Sequence, residues 1–473
     1  MPLGPGPTLR RSENAGSKRR IAVLALALVL AAAAYGPLPL PAPPHDLDLG
    51  TVRVGLAILI LTAALWLTEA LPLAVTALLV PVVASVSGTV DVRSAFANFS
   101  HPLIFLFLAG FGLAAALLHQ GLDRWLAFSL VRLARGSFLA SALALFSVSA
   151  FLSMWISNTA AVALLLPVAL ATLGSIATSF GQQAAQRATP FILLGVAYSA
   201  SIGGIGTLIG TPPNAIAAAR LDYNFAEWMK IGLPSVLVLF PSLFGLLWLT
   251  ARPGPLGPLE VETPASFRFT PPRLMTIAVF ALAVTGWMSS GYLGSALGIE
   301  RHIDSLIGIG ALVLLVALHL VTWKDIDKTA DWGVLLLFGG GLTLSEVLTV
   351  TGSSRYLAAQ LSSFTGDLPP LLMMAALILF IIFLTEIASN TASAALFVPI
   401  FFATALDLGI PPPALVIPVA IACSCAFMLP VATPPNALVF ATGRLPQRTM
   451  IRIGLWLNLI FAGIVTLIGG FLL

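Results

Sequence analysis

Two polar strings recur in the same order in each half of this chain. Ser157-Asn158-Thr159 is followed by Thr211-Pro212-Pro213-Asn214, and Ser389-Asn390-Thr391 by Thr433-Pro434-Pro435-Asn436. Each string sits inside a stretch otherwise apolar enough for a membrane, and the residue types define what it can do there. Asn, Ser and Thr bring neutral amide and hydroxyl donors. Where Ser-Asn-Thr tips a turn, the helix that follows adds free N–H groups and the positive end of its dipole. Such a tip suits an anionic group, so two tips suit a substrate with two negative charges, a dicarboxylate or a tetrahedral dianion. In Thr-Pro-Pro-Asn the prolines remove backbone donors and stop the helix, leaving carbonyls just upstream without partners inside the segment. Beside hydroxyl and amide oxygens, those carbonyls make the hard, oxygen-only site that sodium takes. Ser153 and Thr385 each lie one helical turn before the serine of their string, which supplies a further matched pair of hydroxyls.

Elements able to position these strings must live in lipid. With 58% hydrophobic and 9% charged residues and a mean hydropathy of +1.01, the chain falls far below the roughly 25% charged composition of soluble domains. Polar breaks inside apolar helices are tolerated only around a cavity, and secondary transporters use them to build a site at the bilayer midplane. The formal charge of +4 is small, and no basic run interleaved with aromatics points to nucleic acid. Cys423 and Cys425 fall within an apolar segment and read as packing residues, because positions two apart on a helix do not face each other. The histidines are scattered without metal-ligand spacing, and no nucleophile is paired with a base. The expectation is therefore a transporter, with neither enzymatic activity nor an organic cofactor.

The organisation reads as a basic N-terminal tail over 1–20, a first transmembrane helix and external loop over 21–50, and a first repeat over 51–251. A linker over 252–273 leads to a second repeat over 274–473. Two stretches, 137–179 and 369–405, exceed the length of one span and carry Ser-Asn-Thr near the middle, so each reads as a re-entrant hairpin. At about 20 residues per span, the remaining apolar segments give an all-α polytopic membrane protein of about 11 transmembrane helices plus the two hairpins. Starting from a cytoplasmic N-terminus, the inner segments collect most of the Lys and Arg. Only Arg53, Arg93, Arg220, Lys230, Arg301 and Arg355 fall outside. This threading puts the chain in a plasma (inner) membrane with its C-terminus external and its linker cytoplasmic. Gly121-Leu122-Asp123-Arg124-Trp125-Leu126-Ala127 also matches Gly352-Ser353-Ser354-Arg355-Tyr356-Leu357-Ala358. Duplication with an odd number of crossings per copy makes the repeats inverted. The matched segments mix apolar and polar residues as interfacial amphipathic helices do.

The paired strings, together with Thr68-Glu69-Ala70-Leu71-Pro72 and the run Cys425–Asn436, resemble the divalent anion:sodium symporter family over roughly residues 54–473. The resemblance implies sodium-coupled uptake of a dicarboxylate, citrate or sulfate by an elevator-type transporter that works as a homodimer, with sodium ions as co-transported cations. It places substrate contacts at Ser157, Asn158, Thr159, Ser389, Asn390, Thr391, Thr433 and Pro434. It places a first sodium site at Ser153, Ser157, Asn158 and Gly210, and a second at Thr385, Ala388, Asn390 and Ala432. A C4-dicarboxylate such as succinate leads. A sodium-independent dicarboxylate exchanger and a sulfate symporter stand next, and a sodium/proton antiporter or oxyanion efflux permease is more remote, because no Asp lies in either motif region. Three carboxylates fall within or beside apolar segments. Glu386 is expected to face the second hairpin interior, tuning ions or accepting backbone hydrogen bonds, while Glu69 is expected to cap a link; Glu346 is the third.

Overall fold

A computed structural model describes residues 7–36, 38–44, 46–133, 137–254, 256–257, 268–299, 301–365 and 368–473. Among them the chain is entirely helical. The first half opens with α1 (Pro7–Tyr35), α2 (Leu49–Thr68), α3 (Leu73–Val86) and the short α4 (Val92–Ala97). A single 3-10 turn then leads into α5 (Pro102–Gln120) and α6 (Leu122–Leu133). Next come α7 (Phe138–Ser153), α8 (Asn158–Phe180), α9 (Gln182–Gly204), α10 (Pro212–Leu221) and α11 (Phe225–Ala251). The second half contains α12 (Pro271–Met288), α13 (Ser290–Leu297), α14 (Ile303–Ala317), α15 (Trp323–Thr329), α16 (Trp332–Val350) and α17 (Ser353–Thr365). It closes with α18 (Pro370–Thr385), α19 (Asn390–Asp407), α20 (Pro412–Cys423), α21 (Pro434–Phe440) and α22 (Gln447–Gly470).

Local chemistry sets these boundaries. Proline occupies the first turn of α5, α10, α12, α18, α20 and α21, where its missing N–H costs nothing. Asn224 and Glu227 form a capping box at the start of α11. The matched glycines Gly121 and Gly352 both take the left-handed conformation, at φ 66 and 71, so that α5 and α16 turn sharply into the amphipathic α6 and α17.

Eight stretches among the described residues are long and apolar enough to cross a membrane: α2, the run Val92–Gln120, α8, α11, α12, α16, α19 and α22. The expected hairpins are α7–α8 and α18–α19, each two antiparallel limbs joined by a short turn at Ser-Asn-Thr. The two segments carrying Thr-Pro-Pro-Asn are broken helices, α9–α10 and α20–α21. One boundary differs from expectation. The first helix starts at Pro7 rather than Ile21, so Arg10, Arg11 and Lys18 to Arg20 extend the same helix instead of forming a separate tail. Residues 258–267 of the expected linker lie outside the described residues, as do residues 1–6.

One continuous apolar core joins both halves. Small residues let helices approach closely where lipid gives no hydrophobic drive between them. At Gly203 a Cβ would stand 2.0 Å from the Ala150 carbonyl oxygen, so α9 packs against α7 backbone to backbone. At Gly340 a Cβ would lie 2.6 Å from the Ala77 oxygen, which seats α16 on α3. Arg220 closes α10 by laying its guanidinium 4.3 Å from the Phe402 ring of α19.

Candidate functional site

Each hairpin tip is built the same way. At the first, α7 stops at Ser153, the chain turns through Met154, Trp155 and Ile156, and Ser157 caps α8 by accepting from the Ala160 N–H at 3.2 Å. Ser153 Oγ donates to Asn158 Oδ1 at 2.5 Å. At the second, α18 stops at Thr385, the chain turns through Glu386, Ile387 and Ala388, and α19 starts at Asn390. Thr385 Oγ1 lies 2.6 Å from Asn390 Oδ1 and 3.1 Å from the Cys423 carbonyl oxygen. The hydroxyl one turn before each string therefore touches that string's asparagine in both halves.

The breaks are held open by their own asparagines. Asn214 is fully buried, and its Nδ2 donates to the carbonyls of Gly204 at 2.8 Å, Thr207 at 2.7 Å and Ile205 at 3.3 Å. Asn436, equally buried, donates to Ala426 at 3.0 Å and Leu429 at 3.1 Å. This corrects the expectation that the prolines leave the upstream carbonyls unpaired. The asparagine that ends the motif takes up the more distant ones, while Gly210 and Ala432, two residues before the prolines, line a cavity. Thr207 Oγ1 ties the first break to its hairpin by donating to the Met154 carbonyl at 2.5 Å.

Glu386 secures the second break. Its Oε1 accepts from the Phe427 N–H at 2.7 Å, the Met428 N–H at 2.8 Å and Asn458 Nδ2 at 2.7 Å, and its Oε2 accepts from the Leu429 N–H at 2.9 Å. Of the two roles expected for this residue, the structure shows the backbone one, although the backbone is remote in sequence. Tyr198 of α9 adds a hydroxyl donated to the Phe427 carbonyl, joining the first half to the second. Glu346 instead accepts from Asn98 Nδ2 at 2.6 Å and is absent from the cavity lining.

Both tips and both breaks meet at one cavity of about 800 Å³. Its walls include Ser157, Asn158 and Thr159 of the first tip and Ala388, Ser389, Asn390 and Thr391 of the second. Gly210, Ala432, Thr433 and Pro434 come from the breaks. Every predicted substrate residue thus lines the same space. Of the predicted cation ligands, only the buried Ser153 and Thr385 stand back from it, each bonded to an asparagine that does line it.

The facing wall comes from other elements. Leu67, Thr68 and Glu69 end α2, Phe107 and Phe111 project from α5, and Asp331 caps α16. Glu69 holds the C-cap of α2 at φ 49, as the expected cap does, and faces the cavity as well. Sequence reasoning missed Phe107, Phe111 and Asp331, since no local pattern separates them from other apolar or capping residues. Trp155 beside the first tip was also passed over. Its ring lies against Phe280 at 4.9 Å and Phe225 at 6.4 Å, anchoring the tip to α11 and α12.

Known proteins share this architecture and its sequence. Residues 19–472 match the family described as the sodium:sulfate symporter transmembrane region. The chain belongs to this family. The family comprises membrane transporters, so the chain is a transporter and not an enzyme. Among its relatives, an uncharacterized transporter of Haemophilus influenzae is 42% identical over 422 residues, covering 88% of this chain and 90% of that one. An uncharacterized transporter of Methanocaldococcus jannaschii is 38% identical over 413 residues, covering 87% and 92%. The sodium-dependent dicarboxylate transporter SdcS of Staphylococcus saprophyticus is 33% identical over 448 residues, covering 88% and 85%. The crystal structure of the YdaH transporter of Alcanivorax borkumensis superposes with a TM-score of 0.55 over 96% of this chain and 98% of that one. At 15% identity this likeness concerns the fold alone.

Proposed function

We propose that this family member couples inward sodium movement to uptake of a divalent anion, with a C4-dicarboxylate such as succinate as the leading substrate. The observation that carries this reading is the meeting of two Ser-Asn-Thr tips, from opposite halves, at one cavity. Each tip offers a helix N-terminus with amide and hydroxyl donors, so one carboxylate is held at each end. A cavity of about 800 Å³ leaves room for a carbon chain between two carboxylates. The sodium-dependent dicarboxylate transporters among the relatives support the same choice.

The first sodium takes Ser153, Ser157, Asn158 and the Gly210 carbonyl, and the second takes Thr385, Ala388, Asn390 and Ala432. A cation entering beside Asn158 or Asn390 shares the oxygen now bonded to the hydroxyl, whose proton turns aside. This makes the Ser153–Asn158 and Thr385–Asn390 pairs preformed ligand sets. Importing a dianion against an inside-negative potential of about 100 mV costs about 4.6 kcal/mol, at about 2.3 kcal/mol per charge. Two sodium ions cancel that charge, and any further ion adds driving force.

Residues 51–251 and 274–473 act as inverted repeats. Their hairpins and broken helices form a moving body that slides, elevator-fashion, along the wall supplied by α2, α5 and α16. The working unit is a homodimer in the inner membrane, with the N-terminus cytoplasmic and the C-terminus external. Uptake of radiolabelled succinate into proteoliposomes, with an inward sodium gradient or with potassium in its place, tests the proposal. Sodium-driven accumulation competed by dicarboxylates is the expected result. Counterflow without sodium would make the protein an exchanger, and transport of sulfate but not succinate would reassign the substrate.

A further inference from the structure

The two halves hold matched residues around the hairpin tips, yet the surroundings of those residues differ. Asn214 Nδ2 holds the Gly204 carbonyl at 2.8 Å, and Asn436 Nδ2 holds the Ala426 carbonyl at 3.0 Å, so Gly204 and Ala426 occupy the same place in the two breaks. Gly210 is matched by Ala432 on the cavity wall, and Ser153 by Thr385 at the end of the first limb of each hairpin. At all three positions the second half carries one methyl more.

Gly204 is where the missing methyl counts. A Cβ there would stand 2.7 Å from Asn158 Oδ1 and 3.2 Å from the Gly210 carbonyl oxygen, two of the oxygens assigned to the first sodium. Even a C–H···O contact keeps carbon about 3.3–3.6 Å from oxygen, so a methyl at this point pushes the two ligands away. Asn158 is not free to swing aside, because Ser153 Oγ is bonded to its Oδ1 at 2.5 Å. The neighbouring Gly203 serves packing instead, since its Cβ would meet the Ala150 backbone at 2.0 Å. The closest contact at Gly204 is a side-chain oxygen rather than backbone, so this glycine makes room for a ligand and not for a helix.

The second half gathers its oxygens differently. Ala426 is fully buried and carries the methyl, so Asn390 does not stand over it as Asn158 stands over Gly204. Thr385 Oγ1 instead faces both Asn390 Oδ1 at 2.6 Å and the Cys423 carbonyl oxygen at 3.1 Å. Its single proton serves only one of these acceptors at a time. We propose that Gly204 is a specificity-determining residue of the first cation site, its bare Cα forming the floor on which the ion rests between Asn158 Oδ1 and the Gly210 carbonyl. The two sites are then unequal despite the duplication, and one methyl at residue 204 closes the first while leaving the second intact. This inference rests on the sodium sets of the proposed function and adds to them a residue that contributes no ligand atom.

The test titrates full-length protein in nanodiscs with sodium chloride against choline chloride, at constant ionic strength and without substrate, and reads the melting temperature. Well above its Kd, an ion bound only by the folded state raises stability with the logarithm of its concentration, and each further ion adds an equal slope. Gly204→Ala is expected to lower the wild-type slope to about half. Ser153→Thr keeps the hydroxyl and adds the γ-methyl of Thr385; it should act in the same direction, and it serves if Gly204→Ala fails to elute as a monodisperse protein. Ala426→Gly, which adds no methyl, should keep the full slope. A slope unchanged from wild type in Gly204→Ala, or in Ser153→Thr where only that variant folds, overturns the inference. Asn158→Ala separates the two possible failures. If it flattens the slope while Gly204→Ala does not, the sodium site stands and the role of Gly204 falls; if the wild type itself gains no stability from sodium over choline, the sodium-coupled reading falls with it.

Discussion

Replacing Glu386 with glutamine perturbs the second break without emptying its space. In the native protein one oxygen, Oε1, accepts three donors, from Phe427, Met428 and Asn458, and the other accepts from Leu429. Glutamine keeps the crowded oxygen but strips its charge, lowering each of three charge-assisted bonds by about 1 kcal/mol. Its amide then confronts the Leu429 N–H donor to donor, and a buried orphaned N–H costs about 1–3 kcal/mol. The terms sum to about 4–6 kcal/mol, an upper bound because the loop can shift and admit water. The damage is local. Residues 427–429 lead directly to Ala432 and Thr433 of the cavity wall, so a loosened loop weakens the cation site there before it alters the rest of the fold. Every 1.4 kcal/mol lost from that site is a tenfold fall in affinity, so Glu386→Gln is expected to raise the sodium concentration for half-maximal uptake by at least about tenfold. The Tm in detergent should drop as well. Asn458→Ala, which removes a single donor, should do markedly less to both. The assay is sodium activation of uptake in proteoliposomes alongside thermal unfolding, and an unchanged activation curve with an unchanged Tm for Glu386→Gln would refute the loop-bracing argument.

Other substitutions probe the remaining parts. Asn158→Ala and Asn390→Ala should each abolish uptake while the protein still elutes as a folded species, and retained uptake in both would sink the site assignment. Ser153→Ala and Thr385→Ala remove the hydroxyls bonded to those asparagines. Both should shift the sodium activation curve more than the substrate KM, as a matrix of sodium and substrate concentrations would reveal. Asn214→Ala frees three buried carbonyls and should lower Tm more than either hydroxyl deletion, at about 1 kcal/mol or more per lost bond. Gly203→Ala forces a Cβ to within 2.0 Å of the Ala150 oxygen. Separation of α9 from α7 is the expected result, read as a fall in Tm and in the yield of folded protein.

Much of this arrangement was legible in the sequence because the strings are duplicated and chemically distinctive. A lone Ser-Asn-Thr could be a local kink and a lone Pro-Pro a simple helix end, but paired, duplicated and set in over-long apolar runs they read as hairpin tips and helix breaks without coordinates. The fate of the carbonyls did not follow. Whether a freed carbonyl meets a cation or an amide depends on where Asn214 and Asn436 fold back, and that is decided by buried contacts ten residues away in the chain. The partners of Glu386 were equally hidden, since a carboxylate before a hairpin tip gives no sign that it will hold backbone 41 to 43 residues downstream. The wall opposite the tips carries no motif at all. Phe107, Phe111 and Asp331 belong to it only because α5 and α16 pack where they do.

The hydrogen bond from Tyr198 to Phe427 and the seat of Arg220 on Phe402 bear on how the protein is made. A chain emerging from the ribosome inserts α9 and α10 long before α19 or the 424–433 segment exists, so the Tyr198 hydroxyl and the Arg220 guanidinium wait in the membrane for their partners. The first half therefore enters the bilayer as an unfinished piece that needs the second to settle its polar groups. A gene divided between α11 and α12 should yield two products that are degraded when made alone and rescued when made together.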